Sequence, residues 1–279
     1  MTELSTQLLL DTPALTVRDV VCNGGCRHKS AEECAQTTHM VFPYRGVYVR
    51  HVGRDDTVAE ANQVLIFNED EGYQISHPIQ GGDACLSFQI SEPVLRELSP
   101  EEQLRPGSAL TFRHQRLRID ARTQTLVATL RHRLARKTAD VLEAETLALT
   151  VLRRSLGEKT SHGPRGTQSR RKLVERAKLV LSSDLSRRWT LADIAAEVGV
   201  SPVYLTQVFQ QVEGVPLYQY QLRLRLARAL DLLSESEDLT SLGLQLGFSS
   251  HSHFSAAFKQ AYGCTPTEFQ RSIRPALSR

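Results

Sequence analysis

Two sets of mainly small polar side chains recur at matching places towards the C-terminal end of the chain. The first is Val203, Thr206 and Gln207; the second is His251, Ser252, His253 and Ser255. Each set follows a glycine (Gly199, Gly247) and a capping serine (Ser201, Ser250), and is interrupted by apolar anchors at helical spacing. Short side chains on the exposed N-terminal half of a braced helix can reach base edges in a major groove. An amide such as Gln207 suits adenine, which offers an acceptor and a donor side by side. The cations Arg187, Arg188, Arg223, Arg225 and Lys259 are candidates for phosphate contacts, which position a protein without reading sequence. His251 and His253 stand two apart on a helix and diverge, so the spacing does not predict a metal pair.

The elements that hold these residues are written twice. Thr190 to Phe209 and Asp238 to Phe258 follow one helix–turn–helix plan, and Gly199 and Gly247 lie 48 positions apart. Leu205 and Phe254, Phe209 and Phe258, and Gly214 and Gly263 are each 49 apart, so the second turn holds one extra residue. Thr190 with Asp193 predicts a capping box. Gly199 and Gly247 suit left-handed turns. Ser201 followed by Pro202 predicts a capped second helix. Ala195 and Gly243 are small where the helices of each unit must cross. A long Leu- and Arg-rich helix from Pro216 to about Leu233 joins the units, and Thr265-Pro266-Thr267-Glu268 starts a last helix.

Residues 170–274 resemble the two-motif DNA-binding domain of the AraC/XylS family of bacterial transcription regulators. The stretch Gly247–Phe269, with its Gly-Phe turn, anchored Phe, Phe-Lys, Gly and Thr-Pro, carries the resemblance, and residues 220–233 also fit. The resemblance implies two recognition helices in successive major grooves, with base contacts from the seven residues above. It implies double-stranded DNA as partner, RNA polymerase at the promoter, a small-molecule effector, a homodimer, and usually activation, with no cofactor. This chain departs from the family at Ala256 and Gln207, where long cations often stand. Affinity resting more on phosphates falls steeply with salt.

The rest of the chain reads as a sensor. Residues from about 13 to 118 are β-rich, with strands expected at 15–21, 38–42, 46–52, 64–68, 73–77 and 84–90, and turns at Pro43/Gly46, Asp55-Asp56 and Gly81–Asp83. Their spacing predicts a sandwich or small barrel. The region, including residues 77–85, also resembles the cupin-like sensor barrels of the same family. Ser91 precedes a short helix at 92–98. Helices follow from Asp120 to about Lys137 and over 140–156, the latter placing Val141, Leu142, Leu147, Leu149 and Leu152 near one face; the pair suits core cover or a dimerisation hairpin. Residues 157–169 read as a linker between a sensor (1–156) and a DNA-binding domain (170–279). The fold expected is therefore α+β, a cupin-like β-barrel with a helical hairpin followed by an all-α domain.

Cys22, Cys26, His28 and Cys34 fall within thirteen residues and could hold a soft metal or form a redox pair beside Arg27 and Lys29, with Cys85 and His39 in reach; their spacing matches no standard zinc pattern. The alternative is an exposed Gly-rich loop with incidental thiols, plus one or two cysteines buried in strands. His39, His51 and His77 lack the paired spacing of cupin enzymes, and no nucleophile elbow or phosphate loop is present, so catalysis is not expected. Charge is divided: residues 1–160 hold 19 Lys+Arg against 21 Asp+Glu, and residues 161–279 hold 15 against 10. A basic C-terminal part suits nucleic acid. Five cysteines argue against a disulfide framework. The first residues carry neither a basic segment nor a cleavage site, which predicts a cytoplasmic protein, and no apolar run reaches membrane-spanning length.

Overall fold

The computed structural model describes residues 4–24, 27–107, 110–157 and 165–273. Its N-terminal part is built from β1 (Leu4–Asp11), β2 (Leu15–Cys22), β3 (Glu33–Cys34), β4 (His39–Arg45), β5 (Tyr48–Val52), β6 (Asp55–Ala59), β7 (Gln63–Phe67), β8 (Gly72–Ser76), β9 (Asp83–Ile90), α1 (Glu92–Leu98) and β10 (Arg116–Arg118). The strands form two antiparallel sheets, ordered β1-β2-β9-β4-β7-β10 and β3-β8-β5-β6. Among the described residues no ladder joins them, so the expected barrel is an open two-sheet arrangement.

Strand alternation decides what each face does. Met40, Phe42 and Tyr44 of β4, Val64 and Ile66 of β7, and Leu86 and Phe88 of β9 point to one side of the larger sheet. There α1, α2 (Ala121–Ala135) and α3 (Val141–Leu156) cover them. The intervening Val41, Leu65, Phe67 and Cys85 cluster with Tyr48 of the smaller sheet. The six expected strands are present. The Asp55-Asp56 turn is corrected: those residues open β6, and Gly53 (φ 55°) makes the turn. Pro43 lies inside β4, at the register shift between Pro43 and Arg45, where a bulge tolerates its missing N–H.

The hairpin forms as expected, capped by Asp120 and Asp140, whose carboxylates accept from Thr123 N and Glu143 N. Leu152 is buried, but Leu142 and Val141 are exposed, contrary to the expected apolar face. They sit in the first turn of α3, beyond the layer that α2 covers. The other side of α2 rests on the C-terminal domain: Arg131 pairs with Asp231 at 2.6 Å, and His132 Nε2 donates to Leu230 O at 2.8 Å. Of the expected linker, residues 158–164 lie outside the described residues; Thr167 is already an N-cap.

The C-terminal domain comprises α4 (Gln168–Ser183), α5 (Leu191–Val198), α6 (Pro202–Glu213), α7 (Leu217–Leu232), α8 (Leu239–Gln245), α9 (His251–Tyr262) and α10 (Pro266–Ile273). It has two cores. Ile194, Val198, Leu205 and Phe209 close one with α4 and the first half of α7. Leu242, Phe248, Phe254 and Phe258 close the other with the second half of α7 and α10. Among the described residues, no helix is long and apolar enough to cross a membrane.

Candidate nucleic-acid interface

Each helix–turn–helix is set by local chemistry. Thr190 Oγ1 accepts from Asp193 N at 3.1 Å while Asp193 Oδ2 accepts from Thr190 N at 3.0 Å, closing the capping box. Hydrogen bonds to the carboxyl from Thr190, its backbone N–H first and then its hydroxyl, hold Asp193 below its ordinary range. Ser201 caps α6 through Tyr204 N, and Ser250 caps α9 through His253 N. Gly247 is needed twice over: its φ is 82°, and a Cβ there would come within 2.5 Å of Ser186 O. Gly243 lets α9 cross closely, since a Cβ would sit 3.1 Å from the Phe254 Cβ.

The expected reading residues lie along the N-terminal halves of α6 and α9. Val203 (69% exposed), Gln207, His251, Ser252 and His253 are exposed, as is Ala256. Thr206 and Ser255 are only half-buried to solvent. Thr206 Oγ1 donates back to Pro202 O at 2.9 Å. His253 is tied to the turn, its Nδ1 3.0 Å from Ser249 Oγ and its ring edge-on to Phe248. Sequence reasoning missed Tyr204, which is exposed beside Val203 on the first turn of α6. Its position directly after Pro202-Val203 was the available signal.

The cations divide. Arg187, Arg188 and Lys259 are exposed, and the Arg187 guanidinium stacks 3.8 Å above the Trp189 ring. Arg225 is engaged within the domain: its guanidinium donates to Leu185 O, Gly247 O and Arg187 O at 2.8, 3.1 and 2.8 Å. A planar fork satisfied on carbonyls is a strut within the domain. Arg223 is half-buried and acts electrostatically on Arg118 and Tyr262, at the side facing the sheets.

A buried ionic cluster joining the two domains was not foreseen. Arg116 of β10 lies 2.6 Å from Glu175 of α4 and 3.2 Å from Glu213, the last residue of α6. Lys178 completes it at 3.2 and 2.8 Å from the same two carboxylates, and Glu175 also accepts from Val58 N of β6 at 2.7 Å. Burial pushes the Glu213 carboxyl up, but Lys178 and Arg116 outweigh it and hold it at about 2. Beside the cluster, Glu60 accepts from the Tyr220 hydroxyl; burial raises its carboxyl to about 7, against the pull of Lys178. The signal was present in α4, where Glu175 and Lys178 fall on the same helical face as Val174, Ala177 and Leu181.

Between the sheets lies a cavity of about 380 Å³, lined by Val20, Val41, Tyr48, Phe67 and Ile75 with polar groups at its rim. His39 stacks on Phe67 with ring centroids 4.9 Å apart, and burial lowers its pKa. Among the described residues the candidate cluster of Cys22, His28 and Cys34 is not brought together. His28 and Cys34 are exposed, Cys26 lies outside the described residues, and Cys22 is buried at the cavity. The chain path explains this: Cys22 ends β2 in the larger sheet, while Cys34 lies on β3 at the edge of the smaller one.

Comparison with known proteins agrees with this geometry. A family model described as a helix-turn-helix domain matches residues 194–272. The chain is 30% identical over 250 residues to the probable transcriptional regulator LumQ of Photobacterium leiognathi, covering 85% of this chain and 93% of LumQ. It is 31% identical over 120 residues to the regulatory protein PocR of Salmonella typhimurium, covering 43% of this chain and 39% of PocR. A solved AraC-type transcriptional regulator from Chromobacterium violaceum is 30% identical, with 39% of this chain and all of that one covered and a TM-score of 0.37. From the near full-length match to LumQ and the doubled motif, the chain belongs to the AraC/XylS family of DNA-binding transcription regulators.

Proposed function

We propose that the protein is an effector-controlled transcription activator whose two reading helices, α6 and α9, enter the major groove of one target site. The observation that carries this reading is the equivalence of the two units. Each presents the exposed N-terminal half of a capped, core-anchored helix. Val203, Thr206 and Gln207 in one, and His251, Ser252, His253 and Ser255 in the other, are the base-contacting residues. Arg187, Arg188 and Lys259 contact phosphates. Tyr204 adds a stacking or phosphate contact. A small molecule in the cavity between the sheets shifts the docking of the sensor on α4, α6 and α7. The exposed face of α3 pairs with a second copy, and the bound dimer recruits RNA polymerase in the cytoplasm.

Genome-wide mapping of bound DNA tests this, followed by binding of the recovered fragments. Specific sites are expected, with Gln207→Ala weakening one base position by about 1–3 kcal/mol. Lys259→Ala is expected to weaken all sequences alike and to reduce the salt slope by about one. Binding no tighter to any genomic site than to random DNA overturns the reading.

A further inference from the structure

At the rim of the cavity three ligand-type side chains converge that the DNA-binding role does not use. Cys22 ends β2, and Asp83 opens β9 directly opposite it in the ladder. His77 follows β8 of the other sheet. All three are buried, and one donor atom from each lies within 4.8 Å of the others. The loop between His77 and Asp83 holds them in place by backbone packing: a Cβ on Gly82 would fall 2.3 Å from Cys22 O.

A plain His–Asp ion pair does not account for this group. His77 Nε2 lies 2.8 Å from Asp83 Oδ2, yet Oδ2 takes part in no well-formed hydrogen bond and His77 Nδ1 has no hydrogen-bond partner. Both residues are more than nine-tenths buried. Buried polar atoms left this way are costly unless something else satisfies them. Gly24 N meanwhile donates to Cys22 Sγ at 3.4 Å, which fixes the place of the sulfur. Tetrahedral zinc with bonds of ~2.0–2.3 Å separates its ligands by roughly 3.3–3.6 Å. To hold such an ion the His77–Asp83 pair opens by about half an ångström, and the other separations, all within 4.8 Å, close by up to about an ångström.

We propose that Cys22, His77 and Asp83 form a zinc-type metal site, with the fourth coordination position open to the cavity between the sheets. One thiolate, one imidazole and one carboxylate suit zinc among the divalent ions, and three protein ligands leave a position for water or an effector. The site differs from the loop cysteines that spacing alone singles out: among the described residues, neither Cys34 nor His28 joins it. It stands apart from the DNA-binding reading, and either can fail alone.

Metal content of the full-length protein, purified without chelators, tests the site, together with cobalt(II) titration of the stripped protein followed by its thiolate charge-transfer and ligand-field bands. One zinc per chain and one cobalt with a tetrahedral spectrum are expected. Cys22→Ser is expected to abolish the thiolate band, and Asp83→Asn and His77→Gln to weaken cobalt binding by at least about tenfold. Cys34→Ser serves as the control and is expected to bind as the parent does. Thermal melts of the stripped variants separate lost ligation from lost folding. A full-length protein that takes up neither ion overturns the proposal, as does unchanged cobalt affinity in both Cys22→Ser and Asp83→Asn.

Discussion

The two helix–turn–helix units share a plan but are fastened to the N-terminal part by different mixtures of charge and apolar contact. The first is held by charge: Glu175 and Lys178 of α4 and Glu213 of α6 meet Arg116 from the sheet. The second adds apolar contact, with Ala128 of α2 inside its core, to the Arg131–Asp231 pair and to the Tyr262 hydroxyl donating to Gln124 Oε1 at 3.3 Å. Apolar contact tolerates small displacements. A buried ionic cluster does not, because each charge depends on its partners remaining close.

Arg116→Leu is expected to widen this difference most. It leaves two buried carboxylates with Lys178 as their one ion-pair partner among the described residues and should cost about 3–5 kcal/mol. Hydrogen exchange is expected to quicken in α4 and α6 well before α9; uniform quickening would count against separate fastening. Phe258→Ala makes the reverse cut. It empties the second core, at about 3–5 kcal/mol by urea unfolding, with α9 and α10 losing protection first.

A subtler contrast comes from Glu60→Gln. The Glu60 carboxyl is raised in the folded chain, so the folded state holds its proton more tightly than the unfolded one. Its contribution to stability is full below the ordinary carboxylate pKa of 4.5 and is lost as pH rises through about 7. The variant should lose that slope and match or exceed the parent at pH 8, measured by thermal melting. His132, at the second unit, has the opposite sign. Burial, and then the neighbouring Arg131, lower it to about 4, so its contribution is lost as pH falls from 6.5 towards 4. The smallest effects come from the caps: Thr190→Ala should cost about 1 kcal/mol, and Asp238→Ala, which removes the N-cap of α8, should lower the melting temperature slightly. Each is expected to fray only its own unit.

The C-terminal domain was legible because its punctuation is local. Thr190, Gly199, Ser201, Gly247, Ser250 and Thr265 act within a few residues of where they stand, and each takes the role its type predicts. The sheets were partly legible. Buried strands such as β4 and β9 show dense β-branched and aromatic residues, whereas β1 is an edge strand with Leu4 and Leu8 exposed and polar residues between. What stayed hidden depends on distant pairing. Arg116 and Glu213 stand far apart in sequence, and nothing near either names its partner. His77 and Asp83 were visible as a stretch, but Cys22 joins them only through strand register.

Arg225 has a consequence for the DNA itself. Its guanidinium ties the loop before α5, through Leu185 and Arg187, to the turn of the second unit at Gly247. A single cation thereby ties the loop before the first unit to the turn of the second, beside the α7 helix that joins them. The protein should act as a ruler for helical repeat. About five base pairs inserted between the two halves of its site turn one half to the far side of the duplex and should abolish joint binding, while about ten should restore the facing if not the reach.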